Sequence, residues 1–211
     1  MYKYYYLFDI ICLVLIYFTC FLSNWKNNKK YLFLKSILYF YISFVLYFTL
    51  MPFIIPIPLI NFNISSVTIN VVPFNDILLG HGGSIRELAL NIVMMIPFGI
   101  MIPYIYKKKF LSSIKYTLGF SLIIELLQIF SYGGLRSFDT TDLISNTIGG
   151  IVGYWLYLLF CPLATFVLNK VFKEDNEKRN EKPPMVAKRE RIVVGIIIIQ
   201  LFVRSVLVTY I

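Results

Sequence analysis

The chain has 211 residues, of which 58% are apolar, and a mean hydropathy of +0.74; soluble domains hold about 45–50% apolar residues. Six spans of about 20 residues would use more than half of that length and leave no room for a separate soluble catalytic domain. The net charge of +9 comes from bases lying between apolar runs, with no basic stripe or aromatic platform, so it argues against a nucleic-acid partner and sets membrane topology instead.

Apolar runs fall at about 4–22, 31–51, 87–106, 110–130, 142–161 and 192–210. Each suits a membrane-crossing helix, so the sequence predicts an all-α, polytopic integral membrane bundle of about six transmembrane helices. Residues 1–172 form the bundle, 173–191 a charged cytoplasmic linker, and 192–211 a last transmembrane helix. The connections 23–30, 107–115 and 170–191 carry three, four and eight Lys or Arg, whereas 52–86 and 131–141 carry one each. By the positive-inside rule the first three are cytoplasmic, which puts both termini outside the cell membrane.

The first run has no basic n-region beyond Lys3 and no small-residue cleavage site, so it reads as a retained span. It holds Asp9 and the last run holds Arg204; these either neutralise each other or separately reach outer water and headgroups. Pro52, Pro56 and Pro58 forbid helix after the second run. The stretch around Pro73 and Gly82-Gly83 then predicts an outer-face loop packed over the bundle mouth. His81, the single histidine, is a solvated loop residue or a catalytic base, and its solitude excludes a histidine-based metal cluster. Cys12, Cys20 and Cys161 read as small packing residues.

The third run opens with Arg86 and Glu87, with Asn91 four residues on and on the same helical face. Arg86 and Glu87 either meet headgroups and the helix dipole or line a site. Pro97, Gly99 and Pro103 predict a kink. In the fourth run Glu125 and Gln128 share a face, at the depth of Asn91. Gly133-Gly134 end that helix, and Asp139, three residues before Asp142, fits an N-cap with an acid at N3. Capping alone leaves Arg136 and the deeper Asn146 unexplained. The Gly149/Gly153 spacing predicts close approach to the helix bearing Glu125. All these embedded groups fall in the outer half of the spans. The inner half shows none beyond boundary lysines such as Lys35, which disfavours a path through the membrane.

The segments NVVPFNDI at 70–77, LNIVMMIPFG at 90–99, IELLQIF at 124–130 and LRSFDTTDLISNTIGGIVGY at 135–154 resemble the VanZ-like membrane protein family, over about residues 30–160. Leu135 stands where that family often has glycine. The resemblance implies an association with resistance to teicoplanin and related lipoglycopeptides, and it implies no particular reaction.

The residues expected to bind a ligand are Arg86, Glu87, Asn91, Glu125, Gln128, Arg136, Asp139, Asp142 and Asn146. One reading is a binding protein, surrounded by membrane lipids, whose outer-leaflet pocket engages a lipoglycopeptide or a lipid-linked envelope precursor. The alternative is a membrane-embedded enzyme acting on such an amphiphile, with Glu125 as the candidate catalytic acid or base and Asp139 and Asp142 as candidate ligands of a divalent cation. No other cofactor is predicted, and nothing in the sequence sets an oligomeric state.

Overall fold

The computed structural model describes residues 7, 10–11, 13–22, 29–50, 69–130 and 138–172. Its elements are α1 (Lys29–Leu50), β1 (Ile69–Asn70), α2 (Asn75–Leu78), α3 (Ser84–Tyr106), α4 (Phe110–Phe130), β2 (Phe138–Asp139) and α5 (Thr140–Val171). Among the described residues four helices, α1, α3, α4 and α5, are long and apolar enough to cross a membrane. The linker 173–191, the run 192–210, Asp9, Cys12, Arg136, Arg204 and the prolines at 52, 56 and 58 lie outside the described residues.

The described residues divide into two compact units, one containing those up to 50 together with 165–172, the other residues 69–164. In the first unit, residues 13–22 are helical, with a π-helical turn at Tyr17–Phe21. Aromatic rings hold this segment to α1: the Tyr17 ring lies 4.9 Å from Phe40 and the Phe21 ring 5.0 Å from Tyr39. Each tyrosine hydroxyl has a partner, as a hydroxyl removed from water requires. Tyr17 Oη is 2.6 Å from Ser36 Oγ, and Tyr39 Oη donates to the Leu13 carbonyl at 2.8 Å. The start of α1 is tied to the end of α5 by Lys30 Nζ, which donates to Asn169 Oδ1 at 2.7 Å. Lys35, in the second turn of α1, is buried, with its ammonium 5.3 Å from the centre of the Tyr31 ring.

The second unit is built on α3, α4 and the first part of α5. Only residues 107–109 separate α3 from α4, so the two helices form a tight antiparallel pair. Lys107 takes a left-handed φ of 54° to make that turn, and its ammonium lies 4.9 Å from the Tyr104 ring centre. Helix α3 runs unbroken through Pro97 and Pro103.

The glycines of α5 decide which helix comes closest, and the outcome corrects the sequence expectation. A Cβ on Gly149 would strike the Ile92 carbonyl and stand 2.9 Å from Met95 Cβ, and one on Gly153 would strike the Ile96 carbonyl and stand 2.9 Å from Gly99 Cα. Both therefore face α3 rather than the helix bearing Glu125. Gly150, one residue and about 100° further round, is the glycine that meets α4, at Thr117. Helix α5 also continues through Pro162 to Val171, past the expected end at 161, because the sequence stays apolar and the lost proline N–H removes a single helix bond.

A second correction concerns α4. Ser113, Thr117 and Ser121 are all buried, on the same face as Glu125 and four residues apart. Polar side chains therefore extend well beyond the Glu125 end of the helix. Ser113 Oγ donates to the Lys109 carbonyl at 3.1 Å and Thr117 Oγ1 to the Ser113 carbonyl at 3.2 Å. These two hydroxyls bond their own helix and Thr117 is packed against Gly150, so this stretch of the stripe is a packing seam.

Candidate functional site

At the end of the second unit where α3 and α5 begin and α4 finishes, the chain collects its polar side chains. Helix α5 is capped as its sequence suggests: Asp139 Oδ1 accepts the Thr141 N–H at 2.6 Å, which satisfies one of the donors a helix leaves unpaired at its start. The other Asp139 oxygen, Oδ2, accepts from Asn70 Nδ2 at 3.1 Å. The Asp139 backbone N–H is donated to Glu125 Oε2 on α4, also at 3.1 Å. One residue thus joins α5, α4 and the segment that precedes α2.

That segment is stitched down at further points. Ile69 and Asn70 pair in parallel with Phe138 and Asp139. Thr140 Oγ1 donates to the Asn70 carbonyl at 3.1 Å, and the Phe74 N–H donates to Thr141 Oγ1 at 2.9 Å. Phe74 adopts φ 61°, a left-handed conformation that turns the chain into α2. The described part of the stretch expected to form an outer-face loop makes a short cap, held to the head of α5.

Between cap and helices lies a small, partly open cleft. Four carboxylates line it: Asp76 from the cap, Glu87 from α3, and Asp139 and Asp142 from the head of α5. The hydroxyl residues Ser84 and Thr141 and the apolar Phe74, Ile77 and Leu88 complete the wall. Asp142 Oδ1 accepts from Asn91 Nδ2 at 2.6 Å, which links α5 to α3. His81 is exposed on the cap, its Nδ1 3.1 Å from Asp76 Oδ1. Ser84 Oγ donates to the backbone carbonyls of His81, at 2.7 Å, and Asp76, at 3.3 Å. This places its hydroxyl on the main chain and makes no nucleophile relay with the imidazole.

Beneath the cleft, Glu125 is 1% exposed and Asn146 2%. Asn146 Nδ2 donates to Ser121 Oγ at 2.9 Å, while its Oδ1 has no hydrogen-bond partner among the described residues. Of the residues expected to form a site, the structure brings Asn91, Glu125, Asp139, Asp142 and Asn146 together on three helices, with Glu87 on the cleft wall. Gln128 is half-buried at the end of α4, and Arg86 is exposed, outside the cleft lining. Asn70, Asp76, Thr141 and Ser121 were not among the expected site residues. The first two lie within the segment 70–77 that carries part of the family resemblance, which was the signal available for them.

Among the described residues no group of three or more His, Cys, Asp or Glu side chains is arranged to hold a metal ion. Both Asp139 oxygens and one Asp142 oxygen already accept hydrogen bonds, so a cation there would have to share them with these donors.

A family model described as VanZ/LLP1 matches residues 38–161, more than half of the chain. The chain belongs to the VanZ/LLP1 family. Protein VanZ of Enterococcus faecium is 36% identical over 98 residues, which are 46% of this chain and 56% of that protein. The similarity thus spans little more than half the length of that curated relative. No solved structure matches. The VanZ/LLP1 match contains the cap, the α3–α4 pair and the head of α5, so the whole polar assembly lies within the part of the chain that defines the family.

Proposed function

We propose that this VanZ/LLP1 protein uses the cleft at the head of α3 and α5 to engage an amphiphile at the external leaflet, either a lipoglycopeptide or a lipid-linked envelope precursor. In this way it contributes to resistance against teicoplanin-type antibiotics. The distribution of Lys and Arg among the connections supports an external position for this end, with both termini outside. The observation that carries the reading is the junction at Asp139, where the cap, α4 and α5 are bonded to one residue on the wall of a polar cleft.

The chemistry suits a headgroup. Carboxylates on the wall accept hydrogen bonds from amide, hydroxyl or ammonium groups. Arg86, exposed on the first turn of α3, and Arg136 are the proposed contacts for phosphate or carboxylate. Exposed apolar residues along α3, including Leu90 and Val93, offer a surface for an acyl chain. The reading calls on no metal ion.

Its test is binding of fluorescently labelled teicoplanin to the full chain in lipid nanodiscs, alongside susceptibility of cells expressing it. Asp139→Ala and Asp142→Asn should each weaken binding about tenfold, the effect of losing one charge-assisted hydrogen bond. Unchanged affinity in variants that melt like the native protein refutes the proposal.

A further inference from the structure

We infer that Glu125 is a positioning residue that fixes Asp139 through its backbone N–H and does not itself touch the ligand. The inference rests on the cleft reading above and adds a division of labour within it. Asp139 lines the cleft, whereas Glu125 does not, and at 1% exposure it is shut away beneath. The contact between them runs from the Asp139 N–H to Glu125 Oε2.

In a capping box, the side chain at the third helical position reaches back to accept the N–H of the cap residue. Here Asp139 is the cap and Asp142 occupies that third position. Asp142, however, is engaged with Asn91 and faces the cleft. Glu125, from the neighbouring helix, accepts the cap N–H in its place, and Asp142 stays available to the cleft.

The consequence for Asp139 follows from its other bonds. Its backbone is held by Glu125, its Oδ1 by the Thr141 N–H and its Oδ2 by Asn70. Removing the Glu125 acceptor leaves a donor of the helix start unpaired and lets the capping residue, and the cap segment bonded to it, shift from the cleft wall. This role needs a hydrogen-bond acceptor on residue 125 and no transferable proton.

The experiment compares Glu125→Gln, Glu125→Leu, Asp139→Ala and the Glu125→Leu/Asp139→Ala pair in the full chain, read by labelled-teicoplanin binding in nanodiscs and by thermal melting. The glutamine amide oxygen still accepts the N–H, so Glu125→Gln should bind within about twofold of native, whereas Glu125→Leu should bind about tenfold more weakly. The pair should bind no worse than Asp139→Ala, because both changes act on the same residue. Loss of binding in a Glu125→Gln protein that melts normally overturns the inference and points to acid–base chemistry at Glu125. Native binding by Glu125→Leu overturns it as well. An Asp139→Ala protein with native binding removes the cleft reading itself. The glutamine variant decides the matter even where the leucine variant fails to assemble.

Discussion

The first half of α5 buries Ser145, Asn146, Gly149, Gly150 and Gly153, whereas the turns that follow expose Trp155, Leu158, Leu159 and Phe160. Helix α4 makes the same division around its circumference: Ser113, Thr117, Ser121 and Glu125 face inward, and Leu111, Leu118, Leu122 and Ile123 face out. In water this pattern would be inside out. In lipid, large apolar side chains gain nothing by leaving a hydrocarbon surround, so helices associate through close backbone approach and interhelical hydrogen bonds. Small and polar side chains therefore mark much of the α4 and α5 seams, beside buried bulky residues such as Met95, Phe98 and Ile124, while most of the exposed surface of these helices is bulky and apolar.

The largest effect that would break this contrast is expected at Gly153. Gly153→Leu places a side chain against the Ile96 carbonyl and Gly99, and should destabilise the α3–α5 contact by about 3 kcal/mol or more. Loss of monodisperse protein in detergent is the readout. A smaller effect separates the two kinds of seam residue. Ser121→Ala strips Asn146 of the acceptor for its amide and should cost about 1–3 kcal/mol, whereas adding Asn146→Leu to it removes the stranded amide and should recover part of that loss in thermal melting. The smallest effect belongs to the perimeter: Leu159→Ala should change stability by at most about 0.5 kcal/mol. A Leu159 variant as damaged as Gly153→Leu would show that the exposed half of α5 is itself a packed surface.

The same contrast explains what was legible in the sequence. The apolar runs at 31–51, 87–106 and 110–130 correspond to α1, α3 and α4 within a few residues, since length and hydropathy are enough to mark a span. The cap at Asp139 was legible as well, because its Asp-x-x-Asp spacing ahead of an apolar run is a local signal. Seams were harder. Ser113, Thr117 and Ser121 barely alter hydropathy, so the sequence marks their shared face only at its end, by the charged Glu125. Gly149 and Gly153 announced a close contact but not its partner, because a glycine spacing carries no information about which neighbour fills the groove. The two-residue pairing of β1 with β2 is too short to leave any periodic trace. Of the expected site, the cluster on three helices was legible from depth and helical phase, whereas the contribution of Asn70 and Thr141 depends on how the cap folds back.

The parallel bridge from Ile69 and Asn70 to Phe138 and Asp139 joins the two ends of a stretch of chain that contains the entire α3–α4 hairpin. A displacement of the cap therefore has a shortcut to the head of α5 that bypasses both hairpin helices. Any shift of residues 70–77 reaches the head of α5 through the strand pairing and the hydrogen bonds of Asn70 and Phe74, which makes cap and helix one mechanical part despite the distance between them in sequence.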